Sequence, residues 1–242
     1  MTGRCPLDVC DGSGFVVDEA TNTATPCRCR AARIAQARAR SLSAVIPRRF
    51  QGVSFDRAPV VDMDPTIVRE VRRFVDDIEG NLEAGRGLWF MGDVGTGKTT
   101  LAMLVSKAAL DAGRSVAIYS LPRLLAEIRK TFNEGSDRSH PALLERLSQV
   151  ELLHIDDVGA EKTSEWVLEE LYVIVNARYE DERAVVITTN LDDAQLREQI
   201  GERTVSRLVE ICGDPVPMFG KDRRMEPEPA DLPGAPHRVI AG

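Results

Sequence analysis

Long hydrophobic runs are missing from this 242-residue chain. Stretches such as Leu88 to Met91 and Ala184 to Ile187 are strand-sized, far below the roughly 18 apolar residues that a membrane span requires. The first residues, with Cys5, Asp8 and Asp11, also lack the apolar stretch of a signal peptide. A cytoplasmic location with no membrane association is therefore expected. Aromatic residues are scarce at 5%, but 43% hydrophobic content suffices for an ordinary packed core. No internal repeat is present. Basic residues are in deficit, and a net charge of −7 would by itself argue against nucleic acid. The deficit is uneven, however. Residues 1–50 hold eight Arg against four acids, a net +4, which leaves −11 for the remainder.

The chain is long enough for one α/β domain with appendages. Residues 1–30 read as a cysteine module with a zinc-ribbon-like pattern, 31–60 as a basic helix (Arg30 to Leu42) and an extended linker (Ile46 to Asp56), 61–224 as the main domain and 225–242 as a disordered tail. Six of the thirteen prolines fall between Pro215 and Pro236, which argues for that tail. From Pro65 to Glu83, Ile67, Val71, Phe74, Val75 and Ile78 recur at helical spacing, so one amphipathic helix is expected. Strands then alternate with helices. Strands are expected at Gly87–Met91, Ser115–Ser120, Val150–Ile155 and Ala184–Thr189. Helices are expected at Thr99–Ala112, Pro122–Asn133, Ala142–Leu147 and Ser164–Glu180, with one or two more over Asp193–Glu210. Such alternation implies an α/β fold, a parallel sheet covered by helices on both faces.

Gly92-Asp93-Val94-Gly95-Thr96-Gly97-Lys98-Thr99 matches the phosphate-loop pattern, after a strand and at the start of a helix. The glycines let backbone N–H groups turn inward, and the helix directs its positive end at phosphates. Lys98 can reach β/γ oxygens and the Thr99 hydroxyl can hold Mg²⁺. Thr100 extends the binding segment, and its presence where a third glycine would stand excludes a dinucleotide fingerprint. An apolar strand ends in Asp156 and Asp157. The first is placed for the Mg²⁺ shell, the second for orienting or deprotonating an attacking water. His154, one step back, reads as an ordinary strand residue. Asn190 follows another buried strand and can hold a water or sense a γ-phosphate.

These motifs, in this order, resemble those of the bacterial replicative helicase loaders of the DnaC/DnaI type and the transposition helper ATPases of the IstB type. The similarity is carried by Gly87 to Ala102, Leu153 to Trp166, Ile187 to Leu191, Gly201 to Leu208 and Gly220 to Arg223, over roughly residues 46–224. It shares the Asp156-Asp157 ending where most AAA+ proteins have Asp-Glu. The resemblance implies an AAA+ core without a full lid domain and an oligomeric ATPase that binds ATP, Mg²⁺ and single-stranded DNA. It also implies a protein partner, either a replicative helicase or a transposase. It further implies an arginine that reaches a neighbouring subunit's nucleotide. Arg207 is the carried-over residue, and Arg203, on the same helical face, is its rival. With aspartate at 157, one methylene short of glutamate, an ATP switch with little turnover is a third possibility.

Cys5-x₄-Cys10 and Cys27-x-Cys29 are close pairs separated by 16 residues, able to converge on one zinc ion. Reduced, unliganded thiols are the alternative, and a disulfide is disfavoured in a reducing compartment. Cys212 reads as a buried apolar residue. Arg28, Arg30, Arg33, Arg38 and Arg40 follow with no acid among them; they suit phosphates or an acidic partner surface, or form a solvated basic helix.

Overall fold

The structure, a computed structural model, describes residues 5, 7–18, 21, 23–30, 46–133, 140–159 and 164–222. The basic helix expected beyond Arg30, with Arg33, Arg38 and Arg40, and the tail expected over 225–242 lie outside the described residues. In the cysteine module, β1 (Phe15–Asp18) and β2 (Thr23–Pro26) pair as an antiparallel hairpin, strands not foreseen in so short a stretch.

Instead of running as an extended linker, the segment after Ile46 contains a 3₁₀ turn at Arg48–Phe50 that buries Phe50. Ile46, Val53 and Phe55 pack partly buried against the same core. Residues 46–60 are thus part of the α/β unit. Helix α1 (Pro65–Asp76) starts with proline at its first turn, and the Asp64 side chain accepts the Thr66 N–H at 2.7 Å, a capped start. The single helix expected through Glu83 is interrupted at Asp77, whose φ of −114° and ψ of 41° leave the helical region, and α2 (Ile78–Glu83) follows. Both halves keep apolar residues at helical spacing, which is why the break does not show in the pattern.

The sheet is built from β3 (Leu88–Gly92), β4 (Val116–Ser120), β5 (Leu152–Val158), β6 (Ala184–Thr189) and β7 (Val216–Met218). All pair in parallel, in the order β4-β5-β6-β3-β7. The strand carrying the glycine loop is therefore flanked by two strands later in the chain, a switch point at which ligands bind α/β sheets. Helices α3 (Lys98–Asp111), α4 (Leu121–Asn133), α5 (His140–Gln149), α6 (Glu165–Glu180), α7 (Asp193–Ile200) and α8 (Glu202–Cys212) make the connections. The Asp193–Glu210 stretch is two helices, parted at Gly201 with φ 87° and opened by an Asp192–Gln195 capping box. β7 is not among the strands expected from the sequence, since Pro217 sits in its middle; as an edge strand it tolerates the missing N–H.

Strand residues alternate between two cores. Leu88, Phe90, Val116, Ile118, Leu152, Ala184 and Val186 face the side of α1 to α3. Trp89, Ala117, Tyr119, Leu153, Ile155, Val185 and Ile187 face the side of α4 to α8. Both faces are buried, as parallel strands require. Fully buried Arg178 clamps the second layer, donating to the carbonyls of Leu147 at 2.6 Å, Val150 at 2.9 Å and Ala184 at 2.6 Å. No helical lid follows β7 among the described residues.

Candidate nucleotide site

The loop from Gly92 to Gly97 leaves β3 and opens α3. Gly97, at φ 101°, occupies the left-handed region directly before the first helical residue, Lys98, a conformation that costs glycine little. A side chain at Gly92 would lie 2.1 Å from the Met218 carbonyl oxygen, so the loop and β7 approach as closely as backbone allows. Lys98 is only 6% exposed, and its ammonium donates to the carbonyls of Gly92 at 2.8 Å and Asp93 at 2.5 Å. The Thr96 hydroxyl donates to Asp93 O at 2.8 Å. Asp93 N–H bonds Met218 O at 3.0 Å, and its carboxylate accepts the Gly220 N–H at 2.9 Å. The lysine is thus preset over the loop.

Across from it, β5 and β6 slip register between Ile155 and Val158. Such a bulge re-aims side chains, and here it presents both carboxylates at the strand end. Asp157 adopts φ 60°, a left-handed backbone that aspartate and asparagine tolerate better than longer residues do. Asp156 Oδ1 accepts from the Thr99 hydroxyl at 2.9 Å and the Thr188 hydroxyl at 2.7 Å. Thr188 Oγ1 also accepts the Asp157 N–H at 2.8 Å, and the Asn190 amide donates to Asp157 Oδ1 at 2.9 Å. Burial, which opposes ionisation of Asp156, is outweighed by His154 and the Thr188 and Thr99 hydroxyls, so the carboxyl sits below the usual range.

A cavity of about 620 Å³ gathers Val94, Gly95, Gly97, Lys98, Thr99, Thr100, Asp156, Asp157, Thr188 and Asn190. Its other wall is Arg49, Phe50, Val53, Pro59 and Met63. That wall was not foreseen, because the segment looks like a linker and meets the loop only through the fold. Thr188 was also missed as a site residue, although it lies two positions before Asn190 and so on the same strand face. A hydroxyl and a carboxylate beside the phosphate loop are the oxygen donors Mg²⁺ takes; Thr99 and Asp156 fit it.

Arg207 is not in this cavity. It sits on α8, its guanidinium 4.1 Å over the Tyr179 ring, with Nε donating to Asn176 Oδ1 at 3.3 Å and Nη1 to Glu210 Oε1 at 2.8 Å. Arg203 is exposed and, among the described residues, has neither a hydrogen bond nor an ion pair. Cys212, half-buried, donates to the Val185 carbonyl at 3.5 Å, and burial pushes its thiol up to about 12.

In the hairpin module the sulfurs of Cys5, Cys10, Cys27 and Cys29 all lie within 4.8 Å of one another, forming a cluster that could hold a metal ion. None is in a disulfide. The Cys5–Cys27 and Cys10–Cys29 separations are 4.0 and 3.7 Å. Tetrahedral thiolates about 2.3 Å from zinc stand about 3.8 Å apart, so the donor set fits. Burial opposes ionisation of Cys5, yet the backbone N–H groups of Cys10, Val9 and Leu7 and the Cys10 thiol hold it down at about 6.

A glycine loop between a central parallel strand and a helix, faced by paired carboxylates and an asparagine from the two adjoining strands, defines a P-loop nucleotide-binding protein of the AAA+ class. The chain belongs to the IstB-like ATP binding protein family, whose profile matches residues 29–209. It is 28% identical over 160 residues to the replicative helicase loader DnaC of Buchnera aphidicola subsp. Schizaphis graminum, covering 66% of this chain and 64% of that protein. With the Escherichia coli K12 DnaC it shares 30% identity over 139 residues, 57% of this chain and 55% of the relative. The chain thus spans between about half and two thirds of the length of these relatives. The crystal structure of the DnaC helicase loader superposes with a TM-score of 0.61 at 26% identity, covering 72% of this chain and 100% of that one. Most of the cysteine cluster precedes the family match. No helix among the described residues is long and apolar enough to cross a membrane.

Proposed function

We propose that this chain binds and hydrolyses ATP with Mg²⁺ and, as a homo-oligomer in the cytoplasm, acts on single-stranded DNA to load a replicative helicase. One observation carries the nucleotide reading: Thr99, Asp156, Thr188, Asp157 and Asn190 form one hydrogen-bonded relay that faces Lys98 across a single cavity. Loop N–H groups and the start of α3 receive the phosphates, and Lys98 turns from its carbonyls to the β/γ oxygens. Thr99 and Asp156 would hold Mg²⁺, which would supply positive charge to neutralise the phosphate oxygens. Asp157, aimed by Asn190, orients the attacking water and accepts its proton. The wall from Arg49 to Met63 receives the base and ribose. Arg207 of a neighbouring subunit completes the site, and the four cysteines would hold zinc that cross-links the front module.

The aspartate at 157 favours slow turnover that rises with DNA or partner. The family's IstB-like description supports a second reading, a helper that stimulates a transposase. The test is ATP turnover with and without single-stranded DNA, joined to capture of partners from the native host. A DNA-stimulated ATPase that retains the replicative helicase supports the loader. Capture of a transposase supports the second reading, and binding without turnover reduces the protein to a switch.

A further inference from the structure

His154 is a fully buried polar residue in the middle of β5, where an apolar side chain would fill the space without cost. Its Nδ1 lies 2.9 Å from the Ser106 hydroxyl. Its Nε2 is buried, without a hydrogen-bond partner among the described residues, 3.9 Å from Asp156 Oδ1. Alternation along the strand puts His154 and Asp156 on one face of the sheet, the face that α3 covers. Ser106 is seven residues beyond Thr99 on that helix, two turns down the same side. The imidazole therefore joins the helix that carries Thr99 to the strand that carries Asp156.

Hydrogen positions follow from the neighbours. A lone pair on Nε2 would face the carboxylate oxygen and repel it, whereas an N–H there is attracted. Nε2 therefore carries the proton, Nδ1 accepts, and the Ser106 hydroxyl donates. Asp156 Oδ1 then has hydroxyl donors in Thr99 and Thr188 and, 3.9 Å behind it and beyond hydrogen-bond length, the electropositive N–H edge of the buried ring. Thr99 is the donor that leaves when its hydroxyl turns to a cation, and the ring is fixed from below by Ser106.

We propose that His154, locked by Ser106, is a positioning residue that holds the Asp156 carboxylate in its cation-binding orientation. This rests on the nucleotide reading above. Outer partners of metal-ligating groups typically matter by about tenfold or more in metal affinity. A buried ring N–H is otherwise costly, and the facing Asp156 carboxylate offsets that cost.

The test measures binding, not turnover. A fluorescent ATP analogue is titrated onto the full chain in EDTA and then across a Mg²⁺ series, for wild type, His154→Leu, His154→Gln and Ser106→Ala. Nucleotide affinity in EDTA should stay within about twofold in every variant, while the Mg²⁺ midpoint rises about tenfold in His154→Leu and less in Ser106→Ala. His154→Gln, which can still donate, should recover most of the shift. Unchanged midpoints in folded variants overturn the proposal and leave the nucleotide site standing. A wild type without Mg²⁺-dependent nucleotide binding overturns both. Should His154→Leu fail to fold, Ser106→Ala decides, because it removes only a hydroxyl: a raised midpoint supports the lock and an unchanged one refutes it.

Discussion

Asn190 donates from its amide to Asp157 Oδ1 across 2.9 Å, joining the end of one central strand to the carboxylate at the end of the next. Asp157 also sits at φ 60°, so its side chain is aimed by backbone and neighbour together. Asp157→Asn keeps the size and tolerates the same backbone. Its fold and ATP affinity should match wild type, while hydrolysis falls by about 10² or more, the usual worth of a proton acceptor. Asn190→Ala should lower turnover less. Single-turnover hydrolysis alongside equilibrium nucleotide binding separates the two effects, and equal loss of binding in Asp157→Asn would remove its catalytic role.

The phosphate loop makes a prediction that tests geometry against mere backbone strain. Gly92 and Gly113 both have positive φ, 142° and 75°. A side chain at Gly92 would meet Met218 O at 2.1 Å, whereas at Gly113 nothing lies within 4 Å. Gly113→Ala should cost about 1 kcal/mol from conformation alone. Gly92→Ala should cost more, because loop and β7 must separate, and it should weaken nucleotide binding. Denaturant melts with nucleotide titration would show this, and equal losses in the two variants would mean the β3–β7 approach is looser than described.

Lys98→Ala removes the ammonium that bridges the carbonyls of Gly92 and Asp93. Two acceptors lose their donor, at about 1–3 kcal/mol, so the protein should remain folded while nucleotide binding disappears. Unchanged ATP affinity in this variant would refute the site.

Much of this arrangement could be read from residue order, and some could not. The alternation of strand-sized apolar runs with helical spacing marks β3 to β6 and their helices, because each run carries its own period. Lys98, Asp156, Asp157 and Asn190 were visible because each stands at a strand or helix end. Thr188 as their bridge was not, since the contact depends on Ile155 pairing with Ile187 across some thirty residues. The break at Asp77 hides in an unbroken apolar pattern. Phe50 and Pro59 become part of the cavity only when the chain returns to the loop, a non-local outcome that local spacing does not encode.

The cysteine module yields a prediction about metal. Four thiols lie within 4.8 Å of one another and, among the described residues, pack with Val16 alone of the non-cysteine hydrophobics, so a bound metal would contribute folding energy that this small cluster lacks. Protein purified without oxidation should carry about one zinc per chain, and Cys5→Ser or Cys27→Ser should lose it. Deleting residues 1–45 should leave ATP binding intact and weaken binding of single-stranded DNA or partner. Metal analysis returning no zinc would leave four reduced thiols as the description of this cluster.

Arg207 stands apart from the nucleotide cavity, stacked on Tyr179 and held by Asn176 and Glu210. To act on a neighbouring nucleotide, as proposed, the guanidinium would have to exchange these partners for phosphate oxygens. No lid among the described residues carries an arginine for the same subunit. A guanidinium on the γ-phosphate is typically worth about 10³ to 10⁵ in rate. Arg207→Ala should therefore bind ATP nearly normally and hydrolyse it poorly. Mixing it with Lys98→Ala, each inactive alone, should restore part of the activity. The intact loop of the first meets the intact arginine of the second only across an interface, so recovery identifies action in trans. No recovery at any ratio, with co-assembly verified, would make Arg207 part of a local α6–α8 cluster and turn attention to Arg203. That residue is exposed one turn earlier, and Arg203→Ala would then give the complementing pair.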